Sequence, residues 1–154
     1  MWSYGLLNST SDYYPEFDEA RDMNVSGPFF ENAPIAHINC KKQCGGAQIS
    51  QKTLSEYINR YSIFLKSQIA LYDADVILCC GNANGQNLIF DFVKSQYLDD
   101  LQLVDDTGNW IYYSPSTGKI VIDSYHPSAR IGYKEVYEDM MSGFRTTLKY
   151  IENA

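Results

Sequence analysis

The order of periodic segments predicts an α/β fold built on a mostly parallel sheet. Asp75-Val76-Ile77-Leu78-Cys79-Cys80 is a continuous apolar run, which reads as a central parallel strand covered on both faces. Before it, Leu54, Tyr57, Ile58, Tyr61, Leu65 and Ile69 recur at helical spacing. After it, Trp110-Ile111-Tyr112-Tyr113 and Lys119-Ile120-Val121-Ile122-Asp123 flank Pro115-Ser116-Thr117-Gly118, which is a hairpin signal.

Residues 1–33 are rich in turn formers, as in Asn8-Ser9-Thr10-Ser11-Asp12 and Gly27-Pro28. They predict an irregular segment with at most one short helix around 16–22. Pro34-Ile35-Ala36-His37-Ile38-Asn39-Cys40 reads as a short buried strand, and Lys41 to Gly46 as a loop. Ser50 is a helix N-cap for a helix ending near Tyr72. Gly81-Asn82-Ala83-Asn84-Gly85 leaves the apolar strand and opens a helix through about Ser95. Leu101-Gln102-Leu103-Val104 is a short strand. A last helix, about 133–152, places Tyr133, Val136, Tyr137, Met140, Phe144, Leu148 and Ile151 on one stripe. No internal repeat, linker or low-complexity segment interrupts the 154 residues, so one domain spanning 1–154 is expected.

Composition narrows the class. Apolar residues make 45% and aromatics 14%, with thirteen tyrosines, which is globular rather than disordered. No apolar stretch of about 18 residues exists, so no transmembrane helix and no membrane partner are expected. Met1-Trp2-Ser3-Tyr4 has no basic region before an apolar core, so no secretory signal is read there. Cys79 and Cys80 are strand neighbours that point to opposite faces, and Cys40-x-x-x-Cys44 is too sparse for a metal site. Free buried thiols, no metal, no cofactor and a reducing cytoplasm are expected. The net charge of −7 argues against a broad non-specific grip on nucleic acid, though a local basic rim is compatible with it.

Ligands of parallel sheets bind at the carboxyl ends of strands. Three loops qualify: Asn39 to Gly46, Gly81 to Gly85, and Ser124 to Arg130. His126 is one of two histidines and follows a strand in the compact Tyr125-His126-Pro127-Ser128-Ala129-Arg130 loop. It reads either as a hydrogen-bonded turn histidine or as a site residue. Asn39 reads either as a strand-ending turn residue or as an amide that recognises a base edge through its donor and acceptor. Lys41 and Lys42 are either a solvated loop or phosphate contacts. Gly81 to Gly85 is either an ordinary tight turn or a set of N–H groups offered to an anion. It lacks the spacing of a Walker loop or a dinucleotide fingerprint. No H-x-E with paired cysteines and no G-x-S-x-G elbow occurs.

Taken together, Ala36 to Lys42, the helix leading into Asp75 to Gly81, and Val121 to Arg130 with its His-Pro-Ser resemble the uracil-DNA glycosylase superfamily over about residues 34–152. The resemblance implies a three-layer α/β/α domain, and single- or double-stranded uracil-containing DNA as partner. It implies base flipping followed by cleavage of the N-glycosidic bond. On that resemblance His126 is the catalytic donor to the base O2 and Asn39 reads the base. Ser128 contacts a phosphate, Arg130 reaches the minor groove, and Lys41 and Gly81 line the substrate site. The family's water-positioning motif, of the Gly-Gln-Asp-Pro-Tyr-His or Gly-Glu-Ala-Pro-Gly kind, is not found in residues 1–33. Ser26-Gly27-Pro28-Phe29-Phe30 is superficially similar to the family's base-stacking segment but ends only nine residues before Asn39. The iron–sulfur branch needs two cysteines near the N-terminus, and the first here is Cys40. Two explanations of the missing motif remain: a start inside a longer gene product, or a divergent member with altered or lost catalysis. The alternatives to a glycosylase are therefore a nucleobase- or nucleotide-binding protein on the same fold, and an interaction protein whose tyrosines serve self-association as a homo-oligomer. Asp12, Glu16, Asp18 and Glu19 are the carboxylates that would supply water activation.

Overall fold

The computed structural model describes residues 1–41, 49–82, 85–104, 107–108, 110–126, 129 and 131–153. Among these, six helices and four strands form in the order α1 (Trp2–Leu7), α2 (Phe17–Arg21), α3 (Met23–Phe30), α4 (Gln51–Tyr72), β1 (Val76–Asn82), α5 (Leu88–Gln96), β2 (Gln102–Leu103), β3 (Ile111–Tyr113), β4 (Ile120–Tyr125) and α6 (Tyr133–Glu152). The protein is mixed α/β, with an open mixed sheet of strand order β1-β4-β3-β2. Two compact units divide the chain.

One unit comprises 1–35, 103–111 and 130–154. Its core is the apolar stripe of α6, where Tyr137, Met140, Met141 and Phe144 are buried, met by Trp2, Tyr4, Leu6 and Phe17. The predicted stripe holds except at its first member, since Tyr133 is exposed. Residues 1–33 form three helices where at most one was expected, and that one, α2, lies where expected. Packing overrides the weak local propensity. At Gly5 an added Cβ would sit 2.6 Å from Met141 Sδ and Tyr137 Oη, so α1 approaches α6 closely only because the residue is glycine. Asp22 caps α3 by accepting the Asn24 N–H at 2.9 Å. Pro28 sits within α3, and Phe29 packs edge-to-face on Tyr4 at 5.2 Å.

The other unit comprises 36–102 and 112–129. Its core gathers Ile58 and Leu65 from α4, Cys79 from β1, Phe90, Phe92 and Val93 from α5, Val121 from β4, and Cys40. Ser50 caps α4 as expected, its Oγ accepting the Thr53 N–H at 3.1 Å. The helix stops at Asp73, which adopts a left-handed φ of 45°. Asp73 also holds Lys119 Nζ at 2.7 Å, while the same ammonium donates to the Ala74 carbonyl at 3.0 Å. The hairpin between β3 and β4 is closed by the Ser114 N–H on the Lys119 carbonyl at 2.9 Å.

Two strand expectations change. Residues 33–39 form no strand, and of 34–40 only Cys40 is buried. Pro34 brings no donor, the Ile35 N–H turns back to the Ala33 carbonyl at 2.8 Å, and Asn39 Oδ1 takes the Lys41 N–H at 3.0 Å. Those local bonds consume groups that a ladder would use. As a consequence β1 lies at the sheet edge among the described residues, and only Cys79 in it is fully covered. The strands held on both sides are β4 and β3, and β4 is the better covered, with Ile120, Val121, Ile122 and Ser124 buried.

Candidate functional site at the carboxyl end of the parallel pair

The parallel pair β1–β4 runs in register from Val76 opposite Ile120 to Asn82 opposite Tyr125, with an irregularity between Cys80 and Asn82. That irregularity falls at Gly81. A Cβ there would lie 2.6 Å from Asn87 Oδ1 and 3.0 Å from Ile89 Cδ1. Gly81 therefore lets the N-terminus of α5 sit against the strand end.

Asn87 occupies the centre of the polar cluster. It is the N-cap of α5, accepting the Ile89 and Phe90 N–H groups at 3.1 and 3.3 Å. Its Nδ2 donates to the Cys79 carbonyl and to Asp123 Oδ1, both at 2.7 Å, with the Ser124 carbonyl at 3.4 Å. Asn82 Nδ2 reaches the same Asp123 oxygen at 3.4 Å. Two amides thus converge on one carboxylate oxygen at a helix N-terminus, where negative charge is favoured. Among the described residues, none donates to Asp123 Oδ2. Ser124 Oγ is buried without a hydrogen-bond partner among them. Burial pushes the Cys80 thiol up to about 11, and burial followed by the nearby Cys80, Asp123 and Cys40 pushes Cys79 well above the ordinary thiol value. Both are poor nucleophiles at neutral pH.

His126 follows β4 directly, is exposed, and its carbonyl accepts the Ala129 N–H at 2.8 Å. Gly81 and His126 are thereby placed at the same end of the same strand pair. Asn39 is exposed and its amide oxygen closes its own turn with Lys41, which is half-buried. No hydrogen bond among the described residues joins Asn39 to His126. Ser128 and Arg130, together with Lys42, Ala83 and Asn84, lie outside the described residues. The Ile89 and Phe90 N–H groups in the first turn of α5 are accepted by Asn87, six residues beyond Gly81.

Of the four carboxylates considered for water activation, Glu19 accepts from Tyr4 at 2.9 Å and Tyr13 at 3.4 Å. Asp12 faces Lys149 at 3.6 Å. Both interactions are internal to the other unit. The carboxylate at the strand end is Asp123, which lies in the Val121 to Arg130 segment that carries the resemblance but has no role assigned by it. Its signal was there: an acid ending the apolar run Ile120-Val121-Ile122, three residues before His126. Asn87 also had one, since an asparagine directly before Leu88-Ile89-Phe90 is an N-cap pattern. Among the described residues, no group of three or more His, Cys, Asp or Glu is placed to hold a metal. No helix among them is long and apolar enough to cross a membrane. Compared with protein-family models, curated proteins and solved structures, the chain matches none of them.

Proposed function

We propose that the chain is a divergent uracil-DNA glycosylase-like protein. Uracil or a related base, flipped from single- or double-stranded DNA, binds at the carboxyl end of β1–β4. The scaffold proposed for it is three-layered with a mostly parallel sheet, in a reducing, cytoplasmic setting where Cys79 and Cys80 remain thiols. The observation that carries the reading is the placement of Asp123 and His126 three residues apart, at the end of the parallel pair. In the reaction, water adds to the sugar's anomeric carbon as the C–N bond breaks, and the electron pair leaves on the base. His126 donates to the oxygen where that charge develops, as an oxyanion-hole donor does. Asp123 Oδ2 orients the water and accepts its proton.

A second reading is a protein that binds a nucleobase or nucleotide without excising it. The observation in its favour is that the family's water-positioning motif is not found in residues 1–33. Uracil release from single- and double-stranded uracil-DNA separates the two. For excision, His126→Ala lowers the release rate by about a hundred- to a thousandfold. Asp123→Asn lowers it as well, with the fold monitored by circular dichroism because Asn87 loses a charged acceptor. Binding of the oligomer with no release above that of the variants supports the second reading. Neither release nor binding at low salt, where phosphate attraction is strongest, removes both.

A further inference from the structure

The outward face of α4 carries a second apolar stripe. Ile63, Phe64 and Leu71 are 77%, 69% and 81% exposed. At 100° per residue they fall, with Arg60, Ser67 and Ala70, on the side of the helix opposite the one that puts Leu54, Ile58, Leu65 and Ile69 against the core. Single exposed apolar residues are ordinary, but three on one helical strip mark an interaction surface. Ser67 lies at the middle of the strip, and its Oγ already donates to the Ile63 carbonyl at 2.9 Å.

The strip is charged oppositely at its two ends. Arg60 stands at the N-terminal end, with its guanidinium 5.8 Å from the Tyr61 ring centroid. Asp73 and Asp75, both exposed, follow the C-terminal end. Among the described residues, the ion pairs involve neither Arg60 nor Asp75, and Asp73 is engaged by Lys119.

We propose that α4 docks on α4 of a second copy of this chain, antiparallel, about a two-fold axis passing at Ser67. In that arrangement Ile63 faces the partner's Leu71, and Phe64 faces the partner's Ala70, a large side chain over a small one. Arg60 lies beside the partner's Asp73 and the partner's Asp75. Each contact occurs twice, as a two-fold interface requires. A parallel arrangement would set Arg60 against the partner's Arg60, so charge selects the antiparallel one. The charge of −7 per chain opposes indiscriminate association, which makes the oppositely charged ends decisive. The strip spans only about 16 Å of helix, so a weak, reversible dimer results rather than an obligate one.

Sedimentation equilibrium of the full chain, from about 10 μM to about 1 mM, reads the association directly. A reversible monomer–dimer equilibrium is expected. Phe64→Glu weakens it at least about tenfold, and because Phe64 is exposed the variant keeps its fold. Arg60→Asp weakens it similarly, and adding Asp75→Arg restores it to within about threefold. Monomer at every concentration overturns the proposal, including where the strip binds some other protein. Dimerisation untouched by Phe64→Glu, or a charge exchange that fails to restore it, overturns this surface and this register.

Discussion

Asp100 gathers the connection between β3 and β4. Its carboxylate accepts Ser114 Oγ at 2.6 Å and the Ser116 N–H at 2.9 Å. Those hydrogen bonds, Ser114's foremost, hold its pKa below the usual aspartate value. A depressed folded value means that the unfolded chain takes up the proton first as pH falls. The stability Asp100 contributes is therefore present above the ordinary aspartate pKa and is lost on acidification through the lower folded value. Urea unfolding across the acid range measures this, and Asp100→Asn flattens the slope. Cys80 has the opposite sign. Its thiol is raised to about 11, so its contribution is full below the ordinary thiol value and is lost as pH rises toward 11. The alkylation rate of native Cys80 should climb with a midpoint near that pH. Cys79, fully buried, should react only on unfolding.

Elements defined by local chemistry were legible in the sequence, and those defined by distant partners were not. The Ser50 cap, the α4 periodicity and the 115–118 turn depend on residues within a few positions of each other. Asn87 does not: its donors reach Cys79, eight residues back, and Asp123, thirty-six ahead. Nothing in a window around Asn87 reveals those partners. Pro34 to Cys40 fails in the reverse sense. Its apolar content resembles a strand, while its backbone groups are consumed by local bonds. At the site, the end of β4 at His126 was legible because it follows an apolar run. The carboxylate beside it is less legible, because Asp123 continues the Ile120-Val121-Ile122 run and its partner Asn87 lies thirty-six residues away. Asn87→Ala removes the α5 cap and the side-chain donor to the Cys79 carbonyl, and leaves Asp123 only the longer contact from Asn82. Chemical denaturation should show a loss of about 2–4 kcal/mol. Asn87→Ser restores only the cap, and should recover no more than about 1 kcal/mol of it. Gly81→Ala drives a methyl into Asn87 and Ile89 and should cost about 1–3 kcal/mol.

At the scale of the whole molecule, an acidic chain that binds DNA must do so through few cations. Affinity for a uracil-containing oligomer should fall as salt rises, with a shallow slope. Lys41→Ala should reduce that slope by about one. The central claim is narrower than DNA affinity: a base-bearing ligand sits at the carboxyl end of β1–β4. Its most direct test is a two-dimensional NMR titration of the full chain at low salt with a short single-stranded uracil-containing oligomer. The predicted result is saturable shifts at Gly81, Asn82, Tyr125 and His126 and at the Asn87 side-chain amide, with the α6 amides unmoved. Saturable shifts confined to other surfaces, or none at any ligand concentration, would contradict it.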